Sequence, residues 1–455
     1  MRTIIQNIAH LMTGDPADRE LNDAFVVVEG NVITAVGTGA PGPDLHPDRV
    51  IDGRHKLMMP GFVNTHHHLY QSLFRNVPEV EHAKLFDWLT FLYDHWKYID
   101  EEAVHVSAQT AICEMIATGV TTTTDHLYLF PYGNDALIDA EITAAREIGV
   151  RFHPTRGSMS LSRKDGGLPP DSVVQTDDHI LAESERTIRQ YHDRGRYAMT
   201  RIALAPCSPF SVTPALMRET VALAEREDVL FHTHLAETQD EEQFCLEKFG
   251  WRPVDYMEDL GWLNPRAWFA HLVWPSPDDI EKLSANECGM AYCPSSNMRL
   301  GSGIAPVTVM KETRMRIGIA VDGSASNDGN SFIGEIRLAM LLQRAKYGPG
   351  AMTAREALAM GTMGGARVLR MDGDIGSIEP GKAADLIMWD LDTLAFAGGL
   401  HDPVTAPVMC DAGQVDFSMI NGNVVIEHGH FTAVDVEALV RKQNTIAAAL
   451  MGRSD

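Results

Sequence analysis

The sequence predicts an α/β protein: a (β/α)8, or TIM, barrel joined to a small sheet domain drawn from both ends of the chain. Three observations lead there. Apolar, β-branched runs recur through the middle of the chain, each ending in polar or histidine residues: KLMMPGFVNTHHH, VTTTTDHLY, VRFHPTRGSM, TRIALAPCS, VLFHTHLAE, AWFAHLVW, GMAYCPSSN and RIGIAVDGSASND. That makes eight. Their spacing is the second observation: His234, His271, Asn297 and Asp322 follow one another at steps of 37, 26 and 25 residues, close to the ~30 residues of one βα unit. Stretches such as PALMRETVALAERED and DDIEKLSANE, amphipathic at helical spacing, fill the gaps. The third is that the two ends look alike and differ from the middle.

At the N-terminus, AFVVVEGNVITAVG reads as two strands about a turn at Glu29-Gly30-Asn31. At the other end, DLIMWDLDTL and VDFSMINGNVVIEHGHF are short β-prone runs, the second broken by Asn-Gly, and VDVEALVRKQNTIAAALMG predicts a closing helix. The first βα step is longer than the rest. It carries LFDWLTFLYDHWKY (85–98), expected to form a lid or a pocket wall.

Composition narrows the functional classes. The 455 residues are 45% hydrophobic, enough for a large core. A net charge of −24, from 62 acidic and 38 basic residues, would repel a phosphate backbone and an anionic membrane surface. Nucleic-acid and membrane partners are therefore not expected. No window approaches the ~18 unbroken apolar residues of a membrane span, and the N-terminus lacks a signal-peptide pattern. Six scattered cysteines without a CxxC suit free thiols in a reducing compartment, so a cytoplasmic protein is expected.

Chemistry gathers at the strand ends, where barrels of this type place their active sites. In PGFVNTHHHLYQSLFRNVP (60–78), His66 and His68 are two apart and project to one face, while His67 points away and reads as incidental. A polar strand end would explain this pair alone. Beyond it lie His234 at the end of the fifth run and Asp322 at the end of the eighth. The four make an N3O set suited to Zn2+, with Fe2+ or Mn2+ also tolerated. Glu237 and His271 remain free of ligand duty. Hydrolysis with a metal-activated water needs a base for the water proton and an acid for the leaving group. Glu237 suits the proton shuttle, Asp322 the second proton, and His271 the polarisation of the bond under attack.

Taken together, PGFVNTHHH, HTHLAE, AHLVW, VDGSASND and GSIEPGKAADLIMWD resemble, in order and over nearly the whole chain, the motifs of the amidohydrolase superfamily. The resemblance implies the barrel plus a small β-sandwich, with residues 1–58 and 376–455 in the sandwich domain and 59–375 in the barrel. It implies metal at His66, His68, His234 and Asp322, and catalysis by Glu237, His271 and Asp322. The fourth run, ALAPCS, has no lysine where binuclear members carry a bridging one, which implies one divalent ion per subunit, Zn2+ first. Family members are often dimers or larger, so a homo-oligomer is implied.

Within the superfamily, DWL, TTTTDHLYLFP, FHPTRGSMSL, APCSPFSVTP and DGSASNDGN resemble the branch that deaminates aromatic nitrogen heterocycles, which includes guanine and 8-oxoguanine deaminases and triazine hydrolases. HHHLYQSLFRNVP and HDPVTAP are most similar to the 8-oxoguanine deaminases, implying conversion of 8-oxoguanine to urate and ammonia. Gln71 stands where guanine deaminases bind purine, and its amide can pair with a ring N–C=O or N–C–NH2 edge. Capping of a loop is the alternative for it. Trp88, His126, Arg156 and Cys207 are further substrate-contact candidates, although Arg156 could instead brace the barrel through a carboxylate and Trp88 could be core. Displacement of chloride or an alkylamine from a triazine is the competing activity. An inactive scaffold has no physical need for this residue set, and the H-x-E with P-C-x-x-C pattern of nucleic-acid base editors does not occur.

Overall fold

The computed structural model describes residues 1–42 and 44–453. Eight parallel strands form one sheet in sequence order: Phe62–Asn64, Val120–Leu127, Arg151–Ser158, Ala203–Pro206, Phe231–Leu235, Ala267–His271, Gly289–Tyr292 and Arg316–Ile319. Each coincides with one of the eight expected runs. The last strand returns to the first: Thr65 N donates to Ile319 O at 3.2 Å and Asp322 N to His66 O at 3.2 Å. Asn64 Oδ1 accepts from Val321 N at 3.0 Å. These bonds close the barrel and set the ends of the first and eighth strands side by side.

Most strands read as unbroken apolar runs because helices cover their outer faces. Those helices start where capping residues predict. Thr213 caps Pro214–Glu227, and Ser276 forms a capping box with Asp279 at Pro277–Ala285. The aromatic insertion is a helix, Leu85–Trp96, with Leu85, Trp88, Leu89, Leu92, Tyr93 and Trp96 all buried.

The two termini build one mixed nine-stranded sheet. Its seam pairs Lys56–Pro60 with Leu386–Asp390 antiparallel and with Arg2–Met12 in parallel. The expected β-sandwich is thus a single continuous sheet, curled about a core that includes Ile5, Ile8, Val26, Met58, Leu386, Met388 and Phe417. Buried Arg151, at the start of the third barrel strand, fastens the sheet to the barrel through Asp385, with Nε–Oδ2 at 3.1 Å. The chain passes from sheet to barrel at Gly61, where a Cβ would overlap the Thr121 side chain. The closing helix, Val436–Met451, is capped by Asp435 and packs behind the active end; Gln443 Nε2 donates to Ser72 Oγ at 3.1 Å.

Candidate active site

At the C-terminal ends of the strands the expected residues come together. His66 Nε2 lies 3.2 Å and His68 Nε2 3.4 Å from Asp322 Oδ1, and His68 Nε2 lies 3.1 Å from His234 Nε2. The opposite nitrogen of each ring is committed. His68 Nδ1 donates to His126 O at 2.8 Å and His234 Nδ1 to Cys207 O at 2.6 Å. His66 Nδ1 donates to His232 Nε2 at 2.8 Å, because His232 gives its own Nδ1 proton to Trp268 O at 2.8 Å. All three Nε2 atoms are therefore bare lone pairs converging on a carboxylate.

Burial lowers the pKa of His66 well below its usual value, and those of His68 and His234 to about 4, so the rings are neutral. Burial also works to raise the Asp322 carboxyl, but the imidazoles around it outweigh this and hold its pKa well below the usual carboxylate range, and the Gly323 amide donates to its Oδ1. Lone pairs of His66 and His68 packed against the Asp322 carboxylate, and that of His234 against His68 Nε2, repel one another unless a cation sits among them. The donor set fits one divalent metal ion.

The strand ends bend sharply to aim these groups. His271 (φ 76°) and Asp322 (φ 66°) both occupy the left-handed region, which costs a non-glycine residue about 1–3 kcal/mol. The bend at His271 brings its Nε2 to 3.5 Å from Glu237 Oε2 and 3.9 Å from Asp322 Oδ2. Asn297 Nδ2 donates to His271 Nδ1 at 2.9 Å, which leaves the proton on Nε2, facing the two carboxyls. Burial, then the charges of Asp322 and Glu241, push the Glu237 pKa well up. Ser302 Oγ donates to Glu237 Oε1 at 3.1 Å. Glu241 receives the Ala236 and Glu237 amides, fixing the turn that presents Glu237.

A cavity opens onto this cluster, lined by His68, His234, Glu237, His271 and Asp322. Gln71, Trp88, Tyr128, Cys207, Phe210 and Leu300 form much of the rest, and the insertion helix walls it with Leu85, Trp88 and Leu89. Of the substrate-contact candidates, the structure brings Gln71, Trp88 and Cys207 to the cavity.

It does not bring Arg156 there. That side chain is buried over the Phe130 ring and bonded to Gly157 O, Asp135 and Gln175, so it braces the barrel. His126 is also absent from the lining. It lies beneath His234, rings stacked at 4.8 Å, with Nε2 donating to Ala205 O at 2.8 Å. His67 does point away from the site, but it is not incidental: it is fully buried, with Nε2 donating to Asn330 Oδ1 at 2.8 Å.

Sequence reasoning passed over His232, Asn297, Ser302 and Glu241. His232 is the second residue of the fifth strand, Asn297 lies in the short helix Pro294–Arg299 after the seventh strand, and Ser302 lies just past that helix, so none of the three is marked by a strand end.

The sequence pattern of the amidohydrolase family matches residues 57–425. The chain belongs to the amidohydrolase family. Over 450 residues it is 44% identical to an 8-oxoguanine deaminase from Pseudomonas aeruginosa, covering 99% of both proteins. It is 33% identical to a hydroxydechloroatrazine ethylaminohydrolase from a Pseudomonas species, over 96% of this chain and 94% of that one. Among solved structures, an atrazine chlorohydrolase from Arthrobacter aurescens in complex with zinc superposes with a TM-score of 0.93 at 31% identity, over 98% of this chain and all of that one. The protein is a hydrolase of this family. No helix among its described residues is long and apolar enough to cross a membrane.

Proposed function

We propose that the protein is a zinc-dependent deaminase of a purine-like base, converting 8-oxoguanine and water to urate and ammonia. One observation carries the reading: Glu237, its carboxyl pushed well up, Asp322, its carboxyl held well down, and the Nε2–H of His271 converge on a cavity that the Gln71 side chain also lines. His66, His68, His234 and Asp322 would hold the ion. Zinc bound there supplies a water whose pKa is brought near 7.

The protein's own groups then divide the work. Asp322, held ionised, takes the proton of the attacking water. Glu237 gives its proton to the ring nitrogen beside the amine-bearing carbon, making that carbon electrophilic. His271, its tautomer set by Asn297, donates from Nε2 to the oxygen that adds to the carbon. As the C–N bond to the exocyclic amine breaks, the proton kept by Asp322 leaves with it as ammonia, and the hydroxyl proton of the intermediate passes to Glu237 as the new carbonyl forms, restoring both carboxyls. Trp88, Tyr128 and Phe210 supply aromatic surface in the cavity for a flat base to pack against. The 44% identity to an 8-oxoguanine deaminase along the full chain supports the choice of base.

The reading includes a barrel domain of residues 59–375, a terminal domain of 1–58 plus 376–455, and a cytoplasmic homo-oligomer; free thiols at all six cysteines support the reducing compartment. A substrate panel tests the function. Zinc-loaded protein should release ammonia faster from 8-oxoguanine than from guanine, isocytosine or melamine. Equal or faster chloride release from atrazine would overturn the assignment.

A further inference from the structure

Gly323 follows Asp322 directly, yet its backbone does not need a glycine. Its φ of −71° and ψ of 139° are ordinary extended values open to any residue. Space is what demands glycine there. A Cβ on residue 323 would overlap the Gln71 side chain at Oε1 and Cδ and lie 3.0 Å from Nε2. The Gln71 amide thus packs against a backbone position that has no side chain. It is buried, and its Oε1 has no hydrogen-bond partner among the described residues. A buried amide oxygen is costly to leave unpaired, and Gln71 lines the cavity, so the group is suited to a partner bound there.

Gly323 cannot retreat to make room. Its own N–H donates to Asp322 Oδ1 at 2.7 Å. Two residues on, Ala325 O accepts from Trp88 Nε1 at 3.2 Å. Ser324 Oγ donates to Asn330 Oδ1 at 2.7 Å, the same oxygen that takes the His67 proton, and Asn330 is tied in turn to Glu114. The loop after the eighth strand is thereby clamped to the first, second and insertion segments. A methyl group added at 323 would have to be accommodated by Gln71, which would leave its place.

We propose that Gly323 is a specificity-determining position: its missing side chain reserves the space in which the Gln71 amide is held for the N–C=O or N–C–NH2 edge of the heterocycle. This rests on the proposed role of Gln71 in substrate recognition. It assigns His67 a part as well, since His67 anchors the loop that carries Gly323.

A double-mutant cycle tests it, with 8-oxoguanine as probe and zinc content and melting temperature measured on every variant. Gly323→Ala should raise KM by at least ~10-fold, more than it lowers kcat, and retain one zinc. Gln71→Ala should raise KM comparably. Because Gln71→Ala vacates the contested space, the double variant should match Gln71→Ala, with no added cost from the methyl group. The proposal is overturned if Gly323→Ala leaves KM unchanged, or if the alanine costs as much in the Gln71→Ala background as in the wild type. A Gln71→Ala variant with wild-type KM overturns the role of Gln71 itself, a result separable from the other two. If Gly323→Ala loses zinc or folds poorly while the double variant does not, the steric conflict with Gln71 is supported.

Discussion

Replacing His232 by phenylalanine should loosen the metal without emptying the fold. His232 sits behind the site, its ring stacked on Trp268 at 4.4 Å and 16°. It accepts from His66 Nδ1 and donates to Trp268 O, both at 2.8 Å. Phenylalanine keeps the stacking and most of the volume but removes both hydrogen bonds. His66 then loses the partner that fixes its tautomer and orientation, and Trp268 O loses its His232 donor. Loss of such an outer partner typically costs 10–100-fold in metal affinity, or about 1.4–2.7 kcal/mol. The lost hydrogen bond to Trp268 O adds about 0.5–1.5 kcal/mol of destabilisation. Competition with a fluorescent chelator measures the first quantity, and urea denaturation of the metal-free protein measures the second. Wild-type zinc affinity in this variant would refute the view that His232 holds His66 for the ion.

Three further outcomes are expected. Asn297→Asp should let residue 297 accept from His271 Nδ1, moving the ring proton away from the site; kcat should fall by ~10-fold or more with KM changed much less, and an unaltered kcat would remove tautomer control from the account. Arg156→Met should lower the melting temperature while leaving KM within about twofold, because the guanidinium braces Asp135 and Gln175 outside the cavity; a large rise in KM would return Arg156 to the pocket. Glu335 is buried, and burial pushes its carboxyl up to about 8. Its folded pKa exceeds the unfolded one, so the folded state binds the extra proton and stability falls as pH rises from about 4.5 to 8. Glu335→Gln should therefore gain on the wild type by at least ~1 kcal/mol between pH 5 and pH 8, and parallel stability curves would contradict this.

Much of the architecture was legible because the barrel repeats a local signal. Each strand is a β-branched run bounded by polar residues, and His66, His68, His234, His271 and Asp322 mark strand ends in the sequence itself. What was not legible depends on contacts between distant segments. The bond from Asn297 to His271 spans 26 residues, and that from Ser302 to Glu237 spans 65. His67 looked incidental because alternation shows only that it leaves the site, not that Asn330, 263 residues later, awaits it. Arg156 and His126 are both at strand ends, as the active residues are. Arg156 is turned outward to Phe130, and His126 lies one layer too deep. Gln71 was visible from its position after His68, but the space made for it by Gly323 needed three dimensions.

The central claim is that Glu237 moves the proton while the three histidines and Asp322 hold the ion. Glu237→Gln keeps size and shape and removes only the transferable proton. The account predicts that this variant binds one zinc per chain and releases ammonia from 8-oxoguanine at least ~100-fold more slowly than the wild type. Wild-type turnover with full zinc content would contradict it.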